Sequence, residues 1–235
     1  MLYLLSSRLR RAACLALLSG LCVAAVAQQT GLLYDPEPPA DSAYVRVILA
    51  SRDSPVDVEV DGKLRIRKLA TGEASDYMVF GAGKHVIALH AAGKSATLLS
   101  TSLEVTRGRA MTVAFTTLRA DAIPVVFEDK ANANKLKALL AVYHLDAGAG
   151  AVDVLTADGN TKVFAGLAAG TSASISVNPI SIELIAAKAG DKMAQARTSL
   201  AMAQGGTYSV LLLPGEGGKT SARATQNKIE RYTGK

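Results

Sequence analysis

The sequence predicts an all-β protein, two immunoglobulin-like sandwiches in tandem behind an export signal. Three observations predict it. Apolar and charged residues alternate with a period of two in short runs, glycine-centred turns punctuate those runs, and the back half of the chain repeats the front half. Val45, Val47 and Leu49 share one face of an extended segment, with Arg46 on the other. Val56, Val58 and Val60 then alternate with Asp57 and Glu59, and Leu64 and Ile66 with Lys63, Arg65 and Arg67. Such alternation marks strands with one buried face. Between the second and third runs stands Asp61-Gly62. That pair is a strong hairpin signal, because a type I′ turn needs positive φ at both central residues. Thr71-Gly72 makes the next break, Tyr77 and Val79 open another strand, and Gly81-Ala82-Gly83 closes it.

The elements follow in chain order. Arg8-Leu9-Arg10-Arg11, the apolar run Ala12 to Ala25, and Ala25-Val26-Ala27 form a basic region, a short hydrophobic region and a small-residue cleavage site. Together they predict a secretory signal peptide over residues 1–27, cut after Ala27. The run is shorter than the roughly 20 residues a membrane span needs. Both cysteines, Cys14 and Cys22, fall within it. The cleaved chain therefore has no thiol, which excludes a disulfide framework, a cysteine nucleophile and cysteine-ligated zinc. A basic flank, a short hydrophobic region and no disulfides predict the periplasm.

Residues 28–43 form a proline-rich arm containing Leu33-Tyr34-Asp35-Pro36-Glu37-Pro38-Pro39. Proline fixes φ and withholds a ladder donor, so the arm is no central strand. The first sandwich spans 44–118, with later strands near Lys84–His90, Ala96–Val105 and Met111–Leu118. Residues 119–138 break the pattern and read as a linker. The second sandwich spans 139–213. Val56-Asp57-Val58 returns as Val152-Asp153-Val154, Asp61-Gly62 as Asp158-Gly159, Leu69–Gly72 as Leu167–Gly170, and Ser102-Leu103 and Gly108 as Ser199-Leu200 and Gly205. The offset stays near 97 residues, as expected of a duplication. Each copy has room for about seven strands, which suits an immunoglobulin-like sandwich. Residues 214–235 read as a basic, mobile tail carrying Lys219, Arg223, Lys228, Arg231 and Lys235 against Glu216 and Glu230.

Charge and motif exclude several functions. The formal charge is +6, and removing the three leader arginines leaves about +3. That surplus, with no helix-turn-helix, zinc-finger or stacking-aromatic signature, argues against nucleic-acid binding. The histidines are His85, His90 and His144, and none has metal-ligand spacing. His85 and His90 lie five apart on one predicted strand, so they face opposite sides and read as surface residues. No Gly-x-Ser-x-Gly elbow is present. Asp57, Asp61, Asp153 and Asp158 sit in repeated hairpins, where turn chemistry accounts for them. No repeated Asp-x-Asp loop suggests calcium, and the Gly81–Lys84 and Gly215–Lys219 patches lack the strand-turn-helix context of phosphate binding. With no tryptophan and few other aromatics, a lectin platform is disfavoured. The residues thus nominate no catalytic, cofactor-binding or metal site.

Leu33-Tyr34-Asp35-Pro36 followed by Tyr44-Val45-Arg46-Val47 and Ala50-Ser51 resembles the start of mature AlgF-family proteins, which serve periplasmic alginate O-acetylation. Gly72–Tyr77 with Gly81–His85, then Asn178-Pro179-Ile180-Ser181-Ile182-Glu183-Leu184, and finally Gly206-Thr207-Tyr208-Ser209-Val210 are similar to later segments of that family. This chain has Leu49-Ala50-Ser51 where alginate-type members carry Asn-Ala-Ser, and acetylated-cellulose systems also contain AlgF-like proteins, so alginate and cellulose both stay open as the polymer. The resemblance implies a two-sandwich periplasmic adaptor without catalysis of its own. Its implied partners are a membrane-bound acyltransferase (AlgI-like) and SGNH-type components (AlgJ- and AlgX-like). It carries no catalytic residue onto this sequence. Two other readings remain: a polysaccharide-binding or surface-binding module whose basic tail meets an acidic polymer, and an acetyl-carrying enzyme using serine or histidine, for which no nucleophile–base pair is visible.

Overall fold

The computed structural model describes residues 38–233. The predicted signal peptide and most of the arm lie outside the described residues. Alternating runs fold into β1 (Ala43–Leu49), β2 (Val56–Val60), β3 (Lys63–Leu69), β4 (Met78–Phe80), β5 (Gly83–Ala91), β6 (Thr97–Val105), β7 (Ala110–Phe115) and β8 (Val125–Asp129). The second copy supplies β9 (Ala138–His144), β10 (Val152–Thr156), β11 (Lys162–Leu167), β12 (Ser172–Val177), β13 (Ser181–Lys188), β14 (Ala194–Ala201), β15 (Thr207–Pro214) and β16 (Thr220–Gln226).

Each copy makes two four-stranded sheets, giving tandem immunoglobulin-like sandwiches. The first has orders β4-β1-β7-β8 and β3-β2-β5-β6, and the second β12-β9-β15-β16 and β11-β10-β13-β14. The second set is the first shifted by eight strands. Even the unusual parallel pairing recurs, β1 with β7 and β9 with β15. The Asp61-Gly62 hairpin forms as its sequence requires, with φ of 49° and 75°.

Alternation fills the cores. Val45, Val47 and Leu49 of β1 meet Val56 and Val58 of β2, Ile87 and Leu89 of β5 and Phe115 of β7. Leu140 and Val142, Val152 and Val154, Leu184, Val210 and Leu212 do the same in the second sandwich. A third cluster joins the two. Ile48, Ala114 and Phe127 pack against Ala141, Tyr143, Leu211 and Leu213. The central strands β1, β7, β9 and β15 of sheets β4-β1-β7-β8 and β12-β9-β15-β16 are therefore buried on both faces, and the sandwiches stand back to back.

Three sequence expectations change. Residues 119–138, read as a linker, contain β8, which pairs with β7 from Ala110↔Asp129 to Ala114↔Val125. This strand follows Pro124 and lies at a sheet edge, the place where a proline neighbour is tolerated. With it, the first copy has eight strands rather than about seven. Residues 214–235, read as a mobile tail, contain β16, which pairs with β15 along its whole length. Its inward apolar residues are only alanines, Ala222 and Ala224, too weakly apolar to betray a strand. Finally, Arg46 faces no solvent. It is 1% exposed, on the sheet face that the second sandwich covers.

A polar seam between the sandwiches as the candidate functional site

β1 alternation points Arg46 away from the first core, into the seam. There Nε donates to Thr112 Oγ1 at 2.8 Å, Nη1 to Asn227 Oδ1 at 2.7 Å and Nη2 to Ser209 Oγ at 3.0 Å. Its guanidinium carbon lies 4.7 Å from the Tyr77 ring centre and 5.1 Å from that of Tyr143. Both are within cation–π range. The acidic counterpart is Asp129, at the end of β8. It accepts from Tyr77 Oη at 2.8 Å, Tyr143 Oη at 2.5 Å and Thr112 Oγ1 at 2.6 Å. Thr112 thus links the cation to the anion, accepting from one and donating to the other. The first sandwich supplies Arg46, Tyr77, Thr112 and Asp129, and the second Tyr143, Ser209 and Asn227.

Burial raises the Tyr77 phenol far above its ordinary range. Arg46 works against that rise, and Asp129 adds to it. Burial likewise pushes Tyr143 up to about 12, with Arg46 opposing the rise and Asp129 adding to it. Both phenols stay protonated at neutral pH and act as fixed hydrogen-bond donors. Such an arrangement can hold and orient groups, and it couples the two domains through charge-assisted bonds.

Two clefts open on this cluster. One of about 130 Å³ lies between Asp129, Tyr143, Ser172, Ser174 and Thr207. The other, of about 300 Å³, has Tyr44, Tyr77, Asp129, Asn227, Lys228 and Ile229 in its wall.

The residues singled out in the sequence lie elsewhere. Asp57 and Asp153 are buried latches at equivalent places. Asp57 accepts from the backbone N–H of Lys68 at 2.7 Å and of Gly93 at 2.9 Å. Asp153 accepts from Gly166 at 2.6 Å and Gly190 at 2.9 Å, and pairs with Lys162 Nζ at 2.6 Å. Each carboxylate ties a β-bulge to a distant turn. The Lys162 bond, with the two backbone donors, holds Asp153 down at about 2 despite its burial. Asp57 is lowered chiefly by its Gly93 and Lys68 bonds. Asp61 bonds His85 Nδ1 at 2.7 Å and is lowered by it. Asp158 caps its own turn through Thr156 and Asn160. His85 and His90 do lie on one strand, β5, with His85 against the Phe80 ring and His90 3.4 Å from Glu59. His144 is fully buried, bonded through Nε2 to Gly150 O at 2.6 Å. Among the described residues no group of three or more histidine, cysteine or acidic side chains is placed to hold a metal ion.

Sequence reasoning missed the seam because its partners are far apart in the chain. Arg46 and Asn227 are 181 positions apart. The available signal was the continuous apolar runs Leu139–Tyr143 and Val210–Leu213, which mark strands buried on both faces.

Residues 43–155 match the family model of DUF4397, a domain of unknown function. The match takes in the whole first sandwich and ends within β10 of the second. Among solved structures, the chain is similar to the C-terminal domain of AlgF from P. aeruginosa. That likeness has 23% identity and a TM-score of 0.34, over 40% of this chain and 100% of that one. It is also similar to the family 26 carbohydrate-binding module of Eubacterium rectale Amy13K in complex with maltoheptaose. Here identity is 11% and the TM-score 0.26, over 81% of this chain and 99% of that one. At such scores neither likeness bears on function. No curated protein matches the chain. What the comparisons give this chain is a DUF4397-like stretch over residues 43–155.

Proposed function

We propose that this chain is a non-catalytic, exported accessory protein that serves O-acetylation of a secreted polysaccharide by docking acetyltransferase components. One observation carries the reading. Of the AlgF-like segments within the described residues, three converge on the seam. Tyr44–Val47 brings Arg46, Gly72–Tyr77 brings Tyr77, and Gly206–Val210 brings Thr207 and Ser209. Three of the segments that resemble the family thus contribute to the seam that joins the two sandwiches, together with Thr112, Asp129, Tyr143 and Asn227 from outside them. Two sandwiches so joined suit an adaptor, which must hold two partners in fixed relation.

The test is the acetyl-ester content of the polysaccharide secreted by a strain lacking the gene. Loss of ester with polymer yield intact supports the proposal. Unchanged ester content refutes it. At the protein level, the cleaved chain binds an SGNH-type acetyltransferase component at micromolar concentration, and failure to bind removes the adaptor role.

A second reading, a glycan-binding module, draws on the hydroxyl- and amide-lined cleft at Ser172, Ser174, Thr207 and Asn227. Calorimetric titration with oligosaccharides of the same polymer separates the two. Heat that a Ser174→Val change removes favours glycan binding.

A further inference from the structure

The last described segment joins the two sandwiches a second time. After β16 it crosses from the second sandwich to the first and lies along β4. Tyr77 N–H donates to Lys228 O at 2.8 Å, and Glu230 N–H donates to Tyr77 O at 2.8 Å. These two bonds make a parallel bridge between Tyr77 and Ile229. In a continued parallel ladder, Val79 N–H would next meet the carbonyl of residue 230. Instead it donates to the Glu230 carboxylate at 2.9 Å. That carboxylate also pairs with Arg65, whose guanidinium stands 5.7 Å from the Phe80 ring centre. The segment is therefore a strand added to a sheet edge, stopped after one rung by its own acidic side chain.

β4 is an outer strand of β4-β1-β7-β8. An outer strand presents unpaired backbone groups, which chains either cover or use to capture a partner strand. Here the cover is slight. Lys228 and Ile229 are exposed, Ile229 by 56%, so little apolar surface secures the strap. The equivalent outer strand of the second sandwich, β12, has no such segment on it among the described residues.

We propose that the β4 edge is a strand-docking site, held closed by the chain's own Lys228–Glu230. The partner it accepts is an extended protein segment, parallel to β4, with an acidic side chain placed as Glu230 is. The seated strap is the template. Backbone pairing at Tyr77 supplies affinity, and Val79 N–H with Arg65 selects a carboxylate. Displacing the strap also removes Lys228 and Ile229 from the wall of the cleft they share with Tyr44 and Tyr77. The inference rests on the adaptor reading for its biological sense, and it names the edge and the chemistry of the docked segment.

The test uses purified full-length protein and a fluorescent peptide spanning Gln226–Tyr232. In the unmodified protein, hydrogen exchange at the Tyr77 and Val79 amides is at least about 100-fold faster than at Val113 in β7, a central strand of the same sheet, as local opening demands. Equal protection at all three overturns the proposal, because the strap then leaves only when the protein unfolds. Glu230→Pro removes both the N–H that bonds Tyr77 and the carboxylate. The full chain with this change binds the peptide saturably, whereas the unmodified chain binds it at least about tenfold more weakly. Adding Arg65→Ala weakens binding by about tenfold. Equal binding by the unmodified and Glu230→Pro chains, no binding by either, or indifference to Arg65 each overturns it. None of these readouts involves polysaccharide. Unchanged acetyl ester in the deletion strain would defeat the adaptor reading and leave the docking edge standing.

Discussion

Replacing Arg46 by methionine tests whether the seam holds the two sandwiches together. The substitution keeps most of the aliphatic stem, so little cavity forms and the loss is that of the guanidinium. Three charge-assisted hydrogen bonds and two ring contacts disappear. Their gross worth is large, but each acceptor keeps another bond. Thr112 Oγ1 still donates to Asp129, and Asn227 Oδ1 still accepts from Ser209. The full penalty for an unsatisfied buried group therefore does not apply. What remains is a half-buried Asp129 stripped of its nearby cation. The two charges meet only through Thr112, so the cost of about 3–5 kcal/mol for breaking a directly paired buried ion pair from one side is an upper bound. The retained bonds place this case at the low end, about 3 kcal/mol. For a chain of this size that is a fall in Tm of about 6–12 °C. Thermal and urea unfolding followed by circular dichroism measure it. Arg46→Lys, which keeps the charge but not the fork, loses about half as much. A loss below about 1 kcal/mol in Arg46→Met would refute the reasoning, since the seam would then be held by Ile48, Phe127 and Leu211 alone.

Asp153→Asn flattens the acid limb of the stability curve. The folded-state acid is stronger than the unfolded one, so its contribution is full above about pH 4 and fades as pH falls toward about 2, an amplitude of about 2 kcal/mol. Urea unfolding from pH 5 to pH 2 reads the difference between the two chains. At the bulge where Asp57 bonds Lys68, φ is 52°, and at the matching position Gly166 has φ of 59° with open space around it. Lys68→Gly therefore stabilises by up to about 1 kcal/mol, and Gly166→Ala destabilises by about 1 kcal/mol. Gly215→Ala places a Cβ 2.6 Å from the Lys219 carbonyl oxygen, a backbone atom with little freedom. It costs about 2 kcal/mol, read as a shift in the urea midpoint with the slope unchanged.

The strands that were legible are those with a strong local signal. β2 and β3 announce themselves through Val56–Val60 and the Asp61-Gly62 turn, and the repeat announces β10 and the Gly159 turn. β8 and β16 were not legible. Each is an edge strand that needs only one apolar row, and Val125–Asp129 and Thr220–Gln226 show too little contrast to stand out from loop composition. Arg46 misled for a different reason. Alternation tells which residues share a face, but not whether a second layer covers the polar one. The signal of that second layer lies at a distance, in β9 and β15, whose unbroken apolar runs require burial on both sides.

That two-sided burial also bears on how the duplicated fold divides its labour. The outer sheets β3-β2-β5-β6 and β11-β10-β13-β14 carry the Asp57 and Asp153 latches, matched in both copies, and these secure each sandwich separately. The inner sheets carry residues that are not all matched. Arg46 of β1 answers to Leu140–Val142 of β9, where the repeat has no cation, although the hydroxyls of Thr112 in β7 and Ser209 in β15 do match and both receive Arg46. After duplication the inner faces have diverged into complementary halves: one sandwich supplies the cation and its carboxylate, the other the amide and hydroxyl that receive the guanidinium. Asn227, which closes the cluster, immediately precedes the strap on β4. Bonds at Arg46 therefore fix the point from which the strap departs. Loosening the seam lengthens the free span of the strap and lowers its effective concentration at the β4 edge. Arg46→Met should accordingly speed exchange at Tyr77 and Val79 more than at Val113, and equal acceleration at all three would separate seam from strap.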